Sequence, residues 1–370
     1  MNIPLFTTEE ETKLLKEEIL NEVERVIDSG KFIMGPDVTE FENEVSTYLG
    51  IKHAIGVNSG TDALVIGLKA AGIGVGDEVI TTSFTFFATA EAISQVGAKP
   101  VFVDVEEDSY NIDVSLIEKQ VNENTKAVIP VHLYGHAVDM DPLMNIADKY
   151  DLKIVEDVAQ AFGSDYKGSK VGTIGDVGCF SFFPTKNLGA YGDGGLITTN
   201  SDEIAEIAKM LRVHGSKKKY HNEILGFNSR LDSIQAAILR VKLRRIDEWN
   251  EGRKRVANKY IEILDGNENV VLPKSKYYTN HVFHQFTIRV KNGMRDSLQN
   301  HLKDEGISTM IYYPVPVHEL PLYNHDINLP ITNKLKDDAL SLPIYPHMSD
   351  EIVEKVVSKI INYLRSDSYV

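Results

Sequence analysis

Short apolar runs of strand length alternate with helical patterns through about the first two thirds of this chain, and that alternation restricts it to an α/β architecture. Strands are expected near residues 54–57, 78–82, 100–103, 127–131 and 153–157, with helices such as 12–29 and 37–49 before them. Further strands near 177–182 and 194–199 flank Lys186, the second a candidate for antiparallel pairing. Few breakers interrupt 231–264, which reads as one long helix joining two domains. Beyond it 282–290 alternates as a strand, and helical segments near 294–305 and 350–364 suggest a smaller α+β unit. The expected division is a large α/β domain over 1–250 and a small C-terminal α+β domain over 251–370. A chain of 370 residues is long enough for both.

Within this pattern the stretch Ser181-Phe182-Phe183-Pro184-Thr185-Lys186, followed by Gly192-Asp193-Gly194-Gly195, sets one lysine between an apolar strand and a glycine-rich turn. Partial burial there favours the neutral amine, which is the form that attacks a carbonyl and can hold pyridoxal phosphate (PLP) as a Schiff base. Such a cofactor needs a carboxylate at its pyridine nitrogen, an anion cradle and an aromatic face. The carboxylate candidate is Asp157, delivered by the run 152–157 to the carboxyl edge of the sheet; strand alternation turns its neighbour Glu156 to the other face. Gln160, three residues on, could reach a ring hydroxyl. Asn58-Ser59-Gly60-Thr61-Asp62 links a strand to a helix, and the free amides of a helix N-terminus favour a phosphate. The same residues also make an ordinary N-cap. Ser181 adds a second hydroxyl, and Phe86 is the aromatic chosen to stack, with Phe84 and Phe87 assigned to the core.

Taken in order, these residues resemble the DegT/DnrJ/EryC1/StrS sugar aminotransferases, PLP enzymes of fold type I (aspartate aminotransferase-like) that act on nucleotide-linked keto sugars. The resemblance runs from Ile3-Pro4-Leu5 through Gly30-Lys31-Phe32-Ile33-Met34-Gly35-Pro36, Val131-His132-Leu133-Tyr134-Gly135 and Glu156-Asp157-Val158-Ala159-Gln160-Ala161 to Tyr312-Tyr313-Pro314-Val315-Pro316-Val317-His318. It implies a mixed, mostly parallel sheet in the large domain. It implies roles for Lys186 (Schiff base and proton shuttle), Asp157 (pyridine nitrogen), Gln160 (ring hydroxyl), Phe86 (stacking) and Gly60, Thr61 and Ser181 (phosphate). Asn228 matches the position that reaches a phosphate in the neighbouring subunit, so a homodimer with shared active sites is expected. Members with histidine in place of the lysine dehydrate their substrates; Lys186 therefore implies transamination, with the cofactor cycling through pyridoxamine phosphate and L-glutamate as the usual donor.

The run from Lys186 to Asp193 is similar to that of members that aminate C3 of dTDP-linked 3-keto-6-deoxyhexoses, giving dTDP-3-amino-3,6-dideoxyhexoses, whereas many C4 enzymes carry glutamate where Asp193 stands. A C4 aminotransferase on a dTDP- or UDP-4-keto-6-deoxysugar and a 3-aminotransferase on a UDP-3-keto sugar remain alternatives. A nucleotide diphosphate needs cations, yet 39 Lys and Arg face 54 Asp and Glu, a formal charge of -15. The densest basic cluster, Lys217-Lys218-Lys219-Tyr220-His221, makes Lys219 and Tyr220 the substrate candidates, a solvated loop being the competing reading. His318, after two prolines, could contact substrate across the domain cleft; the role of Glu319 beside it is open.

Several classes fall away on composition. The acidic balance disfavours nucleic acid as a partner. No histidine pair has acidic helpers at ligand spacing, so no metal site is assigned among the eleven histidines; His132 reads equally as a cavity or a core residue. Gly72-Ile73-Gly74-Val75-Gly76 follows a helix and reads as a turn, which argues against a dinucleotide-binding oxidoreductase. A non-catalytic sensor would not need Lys186, Asp157 and Gln160 together. The single cysteine, Cys179, excludes an intrachain disulfide. Met1-Asn2-Ile3-Pro4 shows no leader pattern and no apolar run is long enough to span a membrane, so a cytoplasmic location is expected.

Overall fold

The computed structural model describes residues 2–323 and 326–366; Met1, where the reading of the leader began, lies outside them. A seven-stranded sheet organises the first two hundred residues. Its strands are β1 (His53–Val57), β2 (Glu78–Thr82), β3 (Lys99–Val103), β4 (Thr125–Ile129), β5 (Lys153–Asp157), β6 (Val177–Ser181) and β7 (Gly195–Thr199), in the order β1-β7-β6-β5-β4-β2-β3. From β6 to β3 the neighbours are parallel, while β7 runs antiparallel to both β1 and β6. The central residues of the parallel strands are mostly apolar because both faces are covered, while charged residues stand at strand ends such as Glu78, Lys99 and Lys153. One face packs Ile55, Val79, Ile129 and Val155 with Leu64, Leu68 and Ala208, and the other packs Ile80, Val128 and Ile154 with Phe41, Leu143 and Leu239.

The helices that supply those residues start and stop where local chemistry directs. Three glutamates open α1 (Glu9–Ser29) and favour its positive end; Gly30 closes it in the left-handed conformation, at φ 64°. Pro36 stands in the first turn of α2 (Pro36–Leu49). Ser59 caps α3 (Gly60–Ala70), its hydroxyl accepting from Asp62 N at 3.1 Å. After α4 (Ala88–Gln95), α5 (Met140–Tyr150) and α6 (Asp202–Leu211), the expected single helix over 231–264 is two: α7 (Ser233–Leu243) and α8 (Ile246–Leu264). No glycine or proline marks the break at Arg244 and Arg245. The turn lets Trp249, fully buried, join Leu15, Ile19, Ile238 and Val241 in one cluster.

A second sheet of three antiparallel strands, β8 (Val270–Val271), β9 (Phe286–Val290) and β10 (Ala339–Leu342), carries α9 (Arg295–Asp304) and α11 (Asp350–Ser366) against α8. Between them lies α10 (Pro330–Asp338), whose first turn is held by Asp104 through the amides of Ile331 and Thr332. The strand expected over 282–290 starts only at Phe286. Residues just before it leave the ladder, and Val282 N donates to Gly135 O at 3.1 Å instead. That departure carries His284 and Gln285 to the wall of the main cavity. Among the described residues no helix is long and apolar enough to cross a membrane.

Candidate active site

The carboxyl ends of β2, β4, β5 and β6 converge with the N-terminus of α3 on a cavity of about 410 Å³, the position at which open α/β sheets bind ligands. Gly60, Thr61, Phe86, Asp157, Gln160, Ser181 and Lys186 all line it, although they come from segments spread over more than a hundred residues. Asp193 lines it too.

At the α3 end, Ser59 satisfies the amides of Asp62 and Ala63, leaving those of Gly60 and Thr61 for an anion. Gly60 is required by close approach: a Cβ there would stand 2.6 Å from the Cβ of Ser181. The glycine, the helix start and the serine therefore form one cradle.

Opposite it, Asp157 is buried and held at both oxygens. Thr89 Oγ1 donates to Oδ2 at 2.9 Å and Ala159 N donates to Oδ1 at 3.1 Å. Burial raises its pKa; those two hydrogen bonds and Lys186 oppose the rise. Glu156 faces away, fully buried, accepting from the amides of Gly172, Ile174 and Gly175 and pairing with His132 at 3.0 Å. His132 is thus a core residue, with Val138 N donating to its Nδ1. Gln160 accepts from Tyr134 N and donates to Tyr313 OH, each at 2.9 Å, which leaves one amide N–H for a ligand. Phe86 keeps 60% of its surface exposed, its ring centroid 6.4 Å from that of Tyr313. Phe84 is fully buried, and Phe87 packs on Tyr323.

Lys186 sits in the turn between β6 and β7, its N–H bonded to Phe183 O at 2.8 Å. Burial lowers its pKa to about 8, and Asp157 partly opposes that. A partly buried amine, a buried carboxylate, an anion cradle and an exposed ring around one cavity suit PLP in each of its parts. At pH 7 roughly one Lys186 in ten is neutral, several hundredfold more than for an ordinary lysine. Capture of added PLP by cofactor-free protein is therefore expected to rise between about pH 7 and 9 with a midpoint near 8. Stopped-flow absorbance checks this; a rate flat over the range would contradict it.

Four residues singled out in the sequence lie elsewhere. Asn228 is exposed and does not line the cavity. Lys219 and Tyr220 form the tip of a hairpin, Ser216–Lys218 with His221–Asn222, and Tyr220 is 85% exposed. Neither reaches the cavity within this chain. His318 is 2% exposed: its backbone N–H donates to Ser83 Oγ at 3.0 Å, and that hydroxyl faces its Nδ1 at 2.6 Å, so the ring is tied behind the wall. Glu319 pairs with Lys336 at 2.6 Å. Conversely Thr85, Thr89, His284, Gln285, Tyr312 and Tyr313 line the site without having been chosen. The four-residue spacing of Thr85 and Thr89, which brings their hydroxyls to 3.0 Å, was the available signal. Among the described residues no cluster of side chains could hold a metal ion.

Comparison with known proteins agrees with this geometry. The DegT/DnrJ/EryC1/StrS aminotransferase family pattern matches residues 13–361. A protein from Geobacillus stearothermophilus named "Pleiotropic regulatory protein" is 48% identical over 371 residues, 99% of each chain. The dTDP-3-amino-3,4,6-trideoxy-alpha-D-glucose transaminase of Streptomyces venezuelae is 44% identical over 91% of this chain and 90% of its own. The crystal structure of S. venezuelae DesV, solved with a ketimine intermediate, superposes with a TM-score of 0.95 at 42% identity over 98% of each chain. The chain belongs to the DegT/DnrJ/EryC1/StrS family and is a PLP-dependent sugar aminotransferase of fold type I.

Proposed function

We propose that this enzyme moves an amino group from L-glutamate to C3 of a dTDP-linked 3-keto-6-deoxyhexose, giving the dTDP-3-amino-3,6-dideoxyhexose. The observation that carries the reading is Asp193, in the cavity wall with Lys186, within the turn whose sequence is similar to that of C3 enzymes.

PLP, when bound, supplies an electron sink for the carbon that exchanges its proton. The protein does the rest. Lys186 Nζ would anchor the cofactor and, once free, would take the proton from the donor's α-carbon and return it to the cofactor carbon on the other side of the amino nitrogen. A base of pKa near 8 suits that work at neutral pH. Asp157, held by Thr89 and Ala159, would keep a proton on the pyridine nitrogen. The amides of Gly60 and Thr61 with the Ser181 hydroxyl would hold the phosphate, Phe86 would cover one ring face, and Gln160 would give its spare N–H to the ring hydroxyl.

Lys186 is the only lysine or arginine in the cavity lining among the described residues, so the sugar-nucleotide diphosphate must find cations elsewhere. We infer that a second copy of the chain brings them, through Lys219 and Tyr220 at the hairpin tip, while Asn228 reaches its neighbour's phosphate. Exposed Phe32, Ile33 and Met34, and Leu225 at 92% exposure, support a covered face of this kind. Full turnover by a species that sediments as a monomer would contradict it. The division near residue 250 is likewise proposed, supported by the separate cores of the two sheets.

The regiochemical test uses the second half-reaction. Enzyme is converted to its pyridoxamine phosphate form with L-glutamate, freed of donor, and offered dTDP-3-keto-6-deoxyhexose or dTDP-4-keto-6-deoxyglucose. Recovery of the visible band is expected to be faster with the 3-keto sugar. Recovery only with the 4-keto sugar would reverse the position, and recovery with neither would direct attention to UDP-linked sugars.

A further inference from the structure

Next to Lys186 in sequence, Asn187 is buried and fully committed. Its Nδ2 donates to Asn250 Oδ1 at 2.8 Å and to Val282 O at 3.2 Å. Asn250 cannot turn its amide over, because its own Nδ2 donates to Phe162 O at 3.1 Å. Both acceptors of Asn187 are therefore oxygens of fixed identity, one of them backbone, and its Oδ1 must face the remaining neighbour, His284 Nδ1, at 3.1 Å. An amide oxygen only accepts, so Nδ1 carries the proton.

That assignment leaves His284 Nε2 with a lone pair. The ring is kept neutral, first by burial and then by the nearby charges of Lys186 and Arg253. His284 lines the main cavity together with Lys186, and it also lines a smaller space of about 100 Å³ under Leu5 and Phe6. Among the described residues neither Nε2 nor Lys186 Nζ has a hydrogen-bond partner. The charged groups facing this corner are Lys186 from the β6–β7 turn, Asp157 from β5 and Arg253 from α8, the last of which donates to the carbonyls of His284 and Ile344.

We propose that Asn187 locks His284 as the neutral Nδ1–H tautomer, and that its bare Nε2 accepts a hydrogen bond from the Lys186 ammonium whenever that amine is free of the cofactor. Asn187 and His284 are then positioning residues: they hold a long, flexible side chain in one place while it carries a proton. An unpaired ammonium in this corner would otherwise swing among rotamers or leave the donor carbon. The inference rests on Lys186 being the cofactor lysine.

The test is made on the full chain labelled with ¹⁵N-histidine, in its PLP form, where Lys186 is tied up, and in its pyridoxamine phosphate form, where it is free. His284→Gln identifies the His284 signals by their disappearance. The expected result is a protonated Nδ1 and an unprotonated Nε2 in both forms, with the Nε2 resonance moving upfield when Lys186 is freed. A protonated Nε2, an imidazolium, or an Nε2 resonance that is the same in both forms overturns the proposal.

A kinetic arm separates positioning from packing. His284→Leu is expected to slow the L-glutamate half-reaction about tenfold or more, as for the loss of one hydrogen bond to a charged group. His284→Gln, which keeps an acceptor oxygen near the place of Nε2, recovers most of that rate. Equal loss in both variants overturns the proposal. Discovery of the cofactor on a lysine other than Lys186 would instead remove the reading on which the inference rests, an outcome that the tautomer measurement does not touch.

Discussion

Lys186→Ala is expected to bind PLP without the shifted visible band of a lysine-linked cofactor, and to turn over on the order of 10²–10⁴-fold more slowly from lost proton transfer alone. No other lysine or arginine of the same chain lines the cavity among the described residues, so none of them stands ready to take over the anchoring or the proton. The variant keeps the turn, which is closed by Lys186 N to Phe183 O and Ala190 N to Phe182 O and by Lys242 Nζ on Gly189 O, none of which needs the lysine side chain. Absorbance and steady-state rates measure both effects. Wild-type turnover in Lys186→Ala would place the chemistry on another residue.

Asp157→Ala is the second large effect. Among the described residues the carboxylate is the only one beside Lys186 in the cavity, apart from Asp193 in the glycine-rich turn. On the proposed role, its loss would leave the pyridine nitrogen without a charged partner, and a hydrogen bond to a charged group is worth about 1.5–3 kcal/mol, or roughly a ten- to two-hundredfold fall in rate. The fall should appear in both half-reactions, since both rely on the same nitrogen. Thr89→Val tests the support beneath it: Asp157 keeps its bond from Ala159 N but loses the one from Thr89, and a smaller loss in the same direction is expected. A variant at Asp157 slowed in one half-reaction only would contradict the assignment.

What could be read before the structure follows from what is local. Strand positions β1 to β7 are short apolar runs bounded by turn residues, and a reader needs only neighbouring residues to find them. The opposite facing of Glu156 and Asp157 follows from strand alternation, and the structure places one on three backbone amides and the other in the cavity. The break between α7 and α8 has no such mark, because burial of Trp249 against α1 decides it. Likewise His284 and Tyr313 come to the site from segments more than a hundred residues beyond Asp157, and nothing near them in sequence announces it. His318 shows the reverse case: its sequence context invites a substrate contact, while Ser83, 235 residues away, takes the ring. Lys219, Tyr220 and Asn228 stay outside the cavity of their own chain, so their assignment rests on the second copy proposed above.

The most direct measurement is to reduce the PLP-bound enzyme with borohydride, digest it and locate the phosphopyridoxyl group by mass spectrometry. One modified lysine, Lys186, is expected, in the peptide that contains Asn187 and Asp193. A label on any other lysine would contradict it.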